Sequence, residues 1–555
     1  MSNLQKILIF LALVVEAQRT WQISLPSDPT YNAGVVEFIP GEGKGKRKTS
    51  HALPRMIEII ESDVTRNLDI LVFPEYVLTD EEFRTFVPDP ALKIAPCEVP
   101  DYDLFLTKLS CAVRSRKVYV VINLNEKVFC ANDTTIVGRC DPSGLNTYNT
   151  NVVFDRQGRV ISRYRKSHLY KYEWYSTTVL PESELAIFTT DFGVTFGHFI
   201  CFDMLYWNPA EVLIKKRGLT DIIYPTYWFS ELPFLVSVQL QEGWAFANDV
   251  NLLAADASKP SGRNGGSGIY AGRMGRLTAA IYEEPTTKVL TAKVPKRAQH
   301  NIQQMPNVIM PAFVPQISTP RFTKFDLLRD YNVDIFKTQL LPADFTSVKE
   351  TVCYDSQFCC QFEAARTPIA WWSSAYTAYR YRISAFSGSH ATHQRVDYAD
   401  LKVCALFACT NDQLYSCGHI FPQNVSVGNK YYFSSLKVSG SFVQAPRRLI
   451  MPSSVDGALM PVPVHMYDWQ EVESKNSTSI TITLTHPKED LLTFGIWGNY
   501  YTEKVSKHNF DPVWQPPKPV PPKKVMSSAA AFTAGGNKVC AILLLVTFIK
   551  SQLIM

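Results

Sequence analysis

Long apolar runs are scarce in these 555 residues. The run at 539–549 has eleven members. At ~1.5 Å per residue a helix of that length falls far short of a ~30 Å hydrocarbon core, so it cannot span a bilayer. An excess of one charge is lacking too: 56 Lys and Arg stand against 51 Asp and Glu. Beyond short runs such as 44–48 there is no basic cluster, and no nucleic-acid partner is implied. No internal repeat of solenoid or propeller type is present. Paired Cys-x-x-Cys units are missing, which weakens a zinc reading of the later cysteines. What remains is ordinary globular composition, 46% apolar and 19% charged, at a length suited to roughly two to four domains.

The two ends read as addresses. Lys6 precedes the apolar run 7–15, and Val15-Glu16-Ala17 offers a cleavage site, so residues 1–17 are expected to be an export signal. A buried terminal strand or helix is the plainer alternative. At the other end, Ser527, Ser528 and the alanines 529–531 precede a spacer ending at Lys538 and then the short apolar run. That order fits a GPI-attachment signal over 527–555, removed on lipidation of Ser527 or Ser528, with Gly535 also small enough. A tail anchor is the alternative. The expected location is the extracellular face of the cell membrane, with the outer leaflet as partner. A monomer is favoured, although the oligomeric state stays open.

Twelve cysteines are present, and loss of Cys540 with the tail leaves an odd number, so one is unpaired or bridges two chains. If Cys201 is the free thiol, ten remain for up to five disulfides. Cys130 and Cys140 make a local pair. Cys353, Cys359, Cys360, Cys404, Cys409 and Cys417 form a late cluster whose connectivity the spacing leaves open. Sequons at Asn132, Asn424 and Asn476 agree with export and are expected to carry glycans.

Residues 25–315 alternate β-branched runs with amphipathic stretches, the texture of an α/β domain. Helices are expected over 51–67, with Leu53, Met56, Ile57, Ile60 and Val64 on one face, over 104–116 and over 232–250. Strands are expected at 69–73, 118–124, 194–201, 221–224 and 251–255, with a hairpin joining 151–154 to 160–164. From about 320 helical periodicity fades, and 479–485 alternates as a half-buried strand does, so 320–505 reads as β-rich. Residues 511–524 hold six prolines, an extended stalk over 506–526.

Three strand ends deliver different chemical groups: Glu75 in Phe73-Pro74-Glu75, Lys166 in Tyr164-Arg165-Lys166, and Cys201 in Ile200-Cys201-Phe202-Asp203. Each alone is unremarkable, since strand-end acids and lysines are usually solvated and a buried cysteine is usually inert. Together they solve one problem. A thiol of ordinary pKa ~8.5 is mostly protonated at neutral pH. A lysine cation favours the thiolate, and a carboxylate can take its proton. The ammonium and the Phe202 N–H can then hold an oxyanion. No metal or organic cofactor is needed, and the expected partner is a small-molecule amide.

The order Phe-Pro-Glu, Tyr-Arg-Lys and Cys-Phe-Asp resembles the nitrilase superfamily of carbon–nitrogen hydrolases, and the whole chain resembles its vanin/biotinidase branch. The resemblance implies an α/β fold, a nitrilase-type αββα sandwich over 18–319, followed by a vanin-type C-terminal β-rich domain over 320–505. It implies Glu75 as general base, Lys166 as proton donor and oxyanion partner, and Cys201 as nucleophile. Glu173 falls where relatives place a second glutamate that orients the lysine. The segment 265–268 resembles the family's glycine-rich turn, or is a plain loop. The implied activity is hydrolysis of a linear amide, as in pantetheinases, which release pantothenate and cysteamine. A biotinidase-like amidase and a catalytically silent cell-surface binding protein are the alternatives. Pocket residues are expected near Tyr227 and Trp228, or near Trp174 and Tyr175.

Overall fold

The computed structural model describes residues 23–297, 322, 324–391 and 397–501, apart from 134 and 137–139. The expected export signal, stalk and GPI signal lie outside the described residues. The first 13 strands are β1 (Thr30–Glu37), β2 (Ile70–Val72), β3 (Tyr119–Phe129), β4 (Leu145–Phe154), β5 (Val160–Arg165), β6 (Ala186–Thr189), β7 (Thr195–His198), β8 (Asp221–Thr226), β9 (Glu231–Leu232), β10 (Asn251–Asp256), β11 (Ser267–Ala271), β12 (Arg276–Ala280) and β13 (Lys288–Pro295). All but β9 build two six-stranded sheets, ordered β13-β1-β2-β3-β4-β5 and β12-β11-β10-β8-β7-β6. The apolar runs are continuous because both faces of each sheet are covered.

Between the sheets, Val35, Ile70, Val72 and Val121 pack on Phe196, Ile223, Leu253 and Ile269. Outside the first sheet lie α1 (Lys46–Glu61) and α2 (Leu104–Arg116), which set Met56, Ile60, Leu106 and Leu109 against Phe73, Val120 and Ile122. Outside the second lie the short α3 (Val212–Lys215) and α4 (Ser237–Asn248). This is the αββα sandwich.

The remaining strands are β14 (Leu328–Arg329), which pairs with β9, then β15 (Lys337–Leu340), β16 (Ser347–Tyr354), β17 (Phe358–Pro368), β18 (Arg380–Ala391), β19 (Asp397–Cys409), β20 (Tyr431–Val443), β21 (Arg448–Asp456), β22 (Tyr467–Glu473), β23 (Ser477–Leu484) and β24 (Leu491–Tyr500). Ten of them form two five-stranded sheets, β15-β18-β19-β24-β21 and β16-β17-β20-β23-β22. Phe362, Leu406, Val438, Ile482 and Phe494 fill the space between these sheets. The Cys360–Cys404 disulfide crosses it. One core joins the two parts of the chain: Leu240, Trp244 and Tyr224 pack with Phe407, Met451 and Trp497. A Cβ on Gly243 of α4 would lie 2.6 Å from the Pro452 carbonyl of β21, so only glycine permits this approach.

Several local expectations shift. The first helix begins at Lys46, and Ser62 is extended, so Val64 falls beyond the helix and is exposed. The helix expected over 232–250 starts only at Ser237, because 231–235 closes a turn through mutual backbone bonds of Glu231 and Leu235. Among the described residues five disulfides form: Cys97–Cys111, Cys130–Cys140, Cys353–Cys359, Cys360–Cys404 and Cys409–Cys417. The late cysteines are therefore spent on disulfides, and Cys201 is the free thiol among the described residues.

Candidate active site

Glu75, Lys166 and Cys201 lie at the same end of the sandwich, each just past the end of a strand. Pro74 stops the chain after β2, and the Glu75 N–H donates to Thr226 O of the facing sheet. Lys166 follows β5, with its N–H on Asn149 O at 2.8 Å. Its Nζ donates to Glu75 Oε1 and to Glu173 Oε2, both at 2.8 Å. Glu173 sits on a one-turn 3₁₀ segment, Lys171–Tyr175, and also accepts from the Tyr170 N–H. The structure thus brings Glu173 to the lysine, beside the three motif residues.

Asn149 completes the group, and sequence reasoning missed it. From β4 its Nδ2 donates to Glu75 Oε1 and to Glu173 Oε1, both at 2.7 Å. Asn123 of β3 donates in turn to Asn149 Oδ1 and Asn151 Oδ1. All three asparagines are buried. Asparagine is disfavoured inside strands, so Asn146, Asn149 and Asn151 within one strand hint at a polar role, but their spacing does not say which groups they meet.

Cys201 closes an elbow after β7. Its φ is 48°, a left-handed conformation that costs a non-glycine residue about 1–3 kcal/mol. No long helix follows; a five-residue 3₁₀ turn, Cys201–Leu205, does. That turn leaves Phe202 in the first turn, where an N–H has no intrahelical acceptor. Asp203 fastens the elbow to the lysine segment. Its carboxylate accepts from Ile200 N, His168 N, the Tyr164 hydroxyl and His168 Nδ1.

The electrostatics revise one expectation. Burial, then the negative charge of Glu75, pushes the Cys201 thiol well above its ordinary range, although Lys166 pulls it down. Burial would lower Lys166, but Glu173 and Glu75 outweigh it and hold the ammonium charged. Lys166 is already paired with two carboxylates, so the balance of these influences favours the neutral Cys201 thiol over the thiolate. Burial likewise raises Glu173.

The thiol opens on a small pocket lined by Tyr170, Cys201, Phe202, Leu205, Trp228, Phe229, Glu231 and Leu235. Of the expected pocket residues Trp228 is there. Tyr227 instead turns its N–H to Glu75 Oε2 at 2.9 Å. Trp174 and Tyr175 do not line this pocket, and Tyr175 is exposed. The turn 265–268 is structural: Gly265 and Gly266 have positive φ, and the Gly266 N–H and Ser267 hydroxyl seat the buried Glu37 carboxylate. The side chains of Asn132, Asn424 and Asn476 are exposed. Ser527 and Ser528 lie outside the described residues.

Residues 42–299 match the family model for carbon–nitrogen hydrolases, and 325–504 match the vanin C-terminal domain. Vanin-like protein 1 of Drosophila melanogaster is 38% identical over 508 residues, covering 87% of this chain and 88% of that protein. The chain belongs to the vanin branch of the carbon–nitrogen hydrolases. Within vanins it is 28% identical to human pantetheinase, over 77% of this chain and 86% of that one. Among solved structures, an amidase from Nesterenkonia sp. matches at 17% identity with a TM-score of 0.35, covering 49% of this chain and 95% of that one. As a vanin, the protein is a hydrolase of carbon–nitrogen amide bonds.

Proposed function

We propose that this enzyme is a pantetheinase-like amidase in which Cys201 is the nucleophile, Glu75 the general base and Lys166 the oxyanion partner. The observation that carries the reading is the Lys166 ammonium, held at 2.8 Å by both Glu75 and Glu173 beside the thiol at the pocket. Because the thiol rests neutral, attack is coupled to proton transfer: Glu75 takes the Cys201 proton as sulfur bonds to the amide carbon. Lys166 and the Phe202 N–H hold the developing oxyanion. The tetrahedral species collapses when Glu75 returns the proton to the leaving amine, breaking the C–N bond and leaving a thioester. Glu75 then deprotonates water, which attacks the thioester and frees the acid and the thiol. Glu173 and Asn149 hold the lysine and the base in place throughout.

Pantetheine is favoured as substrate because curated relatives at 27–29% identity bear the name pantetheinase or pantetheine hydrolase. The proposal includes a location at the outer membrane face, supported by the sequence patterns of an export signal, of glycans at Asn132, Asn424 and Asn476, and of a GPI anchor at Ser527 or Ser528. The test is hydrolysis of a chromogenic pantetheine amide by the purified protein beside Cys201→Ala. Turnover is expected in the first and not in the second. Equal turnover would remove Cys201 from the mechanism, and biocytin hydrolysis alone would change the substrate.

A further inference from the structure

Glu75 meets its donors unevenly. Oε1 accepts from Lys166 Nζ and from Asn149 Nδ2, which fills both of its lone pairs. Oε2 accepts from the Tyr227 N–H at 2.9 Å and keeps a lone pair for the Cys201 proton. The position of Tyr227 therefore sets the aim of the base. Tyr227 lies just past the end of β8, and the peptide that follows it is the one the fold holds. The Trp228 N–H donates to Asp256 Oδ1 at 3.0 Å. Two successive N–H groups of one turn are thus held by two carboxyl groups, the first by Glu75 and the second by Asp256. Asn264 Nδ2 donates to Trp228 O at 2.9 Å, and Trp228 Nε1 donates to Leu235 O, which keeps the ring in the pocket wall.

Asp256 can hold this turn because it is itself fixed. It ends β10, opposite Thr226 in the β8 register, and is fully buried. Its Oδ1 also accepts from the Ala257 N–H at 2.8 Å. Its own N–H donates to Ser267 Oγ at 2.8 Å, and that hydroxyl donates on to Glu37 Oε2. Burial, and then the negative charge of Glu37, push the Asp256 carboxyl well above the usual carboxylate range. What it gives the Trp228 N–H is an oxygen in the right place, and not a negative charge. A carboxamide carries the same acceptor oxygen.

We propose that Asp256 is a positioning residue for amide cleavage, holding the Trp228 N–H so that the Tyr227 N–H stays on Glu75 Oε2. This rests on Glu75 being the general base beside Cys201 and deepens that reading.

The test is steady-state hydrolysis of the chromogenic pantetheine amide by the intact protein, by Asp256→Ala and by Asp256→Asn. Competent sites are counted by the extent of Cys201 alkylation with iodoacetamide. The count matters because a residue needed only for folding would lower the number of competent sites and leave turnover per site unchanged. Asp256→Ala removes the acceptor. Its kcat per reactive thiol is expected to fall about ten- to hundredfold, the scale on which a misplaced catalytic group acts, with a smaller change in KM. Asp256→Asn keeps the acceptor oxygen and is expected to recover most of that kcat. If Asp256→Ala does not fold, Asp256→Ser, whose hydroxyl is too short to replace the carboxyl oxygen, carries the same expectation. Wild-type kcat per thiol in the variant that lacks the acceptor overturns the proposal, as does an Asp256→Asn protein no better than that variant. In either case the amidase reading stands, since wild-type turnover is seen. Turnover kept by Cys201→Ala or by Glu75→Gln overturns both.

Discussion

The Thr493 hydroxyl donates to the Pro233 carbonyl at 2.8 Å, joining a C-terminal strand to the turn that walls the pocket. Around that bond, Trp497 lies 5.0 Å from Phe234 ring to ring, and Asn499 Nδ2 donates to Leu205 O within the turn that carries Cys201. The β-rich part is thus built into the site from behind, although none of its residues lines the pocket. Thr493→Val keeps the shape and leaves the buried carbonyl with Gln239 as its remaining side-chain donor. A loss of about 1–3 kcal/mol of stability is expected, with a fall in kcat/KM carried mostly by KM. Urea unfolding and steady-state kinetics on one preparation check it, and an unchanged KM would confine the role of Thr493 to folding.

Asn149 divides one amide between two carboxylates, so replacing it separates positioning from chemistry. Asn149→Leu leaves Glu75 and Glu173 without their 2.7 Å donor. A kcat loss of up to about 10²-fold is expected, the low end of what a positioned acid–base group contributes. Asn149→Asp adds a third carboxylate around Lys166 and should be at least as damaging. Its activity should recover on acidification, because protonation restores a donor and removes the charge. A variant as active as the wild type at every pH would show that the lysine clamp alone suffices.

Much of this was legible in the sequence, and the limits have physical causes. The helix Leu104–Arg116 is found with the expected bounds, because its buried residues lie on one amphipathic face. The first helix was misplaced because Lys46, Arg47 and Lys48 add a polar turn that repeats no apolar period. The structure pins that start from afar, with Gly45 N–H on the Asp80 carboxylate. The three motif residues could be found because each directly follows a strand end. Asn149 could not, since what matters about it is which distant carboxylates it meets. The same holds for the late cysteines: Cys360 and Cys404 pair only because two sheets stack.

The thiol itself can be followed with a small alkylating reagent. Glu75 raises the Cys201 thiol and Lys166 lowers it, so removing the acid's charge should move the alkylation midpoint to lower pH. Iodoacetamide rates of Glu75→Gln across pH should show that downward shift while amide turnover is lost. A midpoint moved upward would mean that Glu75 acts on the thiol only through its hold on Lys166.

Glu211 offers a test of pH-dependent stability away from the chemistry. It is fully buried, bonded to Asn248 Nδ2 at 2.8 Å, and burial raises its carboxyl from 4.5 to about 7. A carboxyl raised in the folded state binds a proton that the unfolded chain has released, so its contribution to stability is complete below about pH 4.5 and is lost as pH rises through about 7. Glu211→Gln keeps a neutral amide there and has no proton to lose. The variant should match the wild type near pH 4.5 and exceed it above pH 7, by on the order of 3 kcal/mol. His198 opposes the wild-type trend, since burial lowers it to about 3 and its neutral form favours folding as pH rises through the ordinary histidine range. It is common to both proteins, so the difference between their unfolding free energies isolates Glu211. A difference independent of pH would mean that the carboxyl is already ionised in the folded protein.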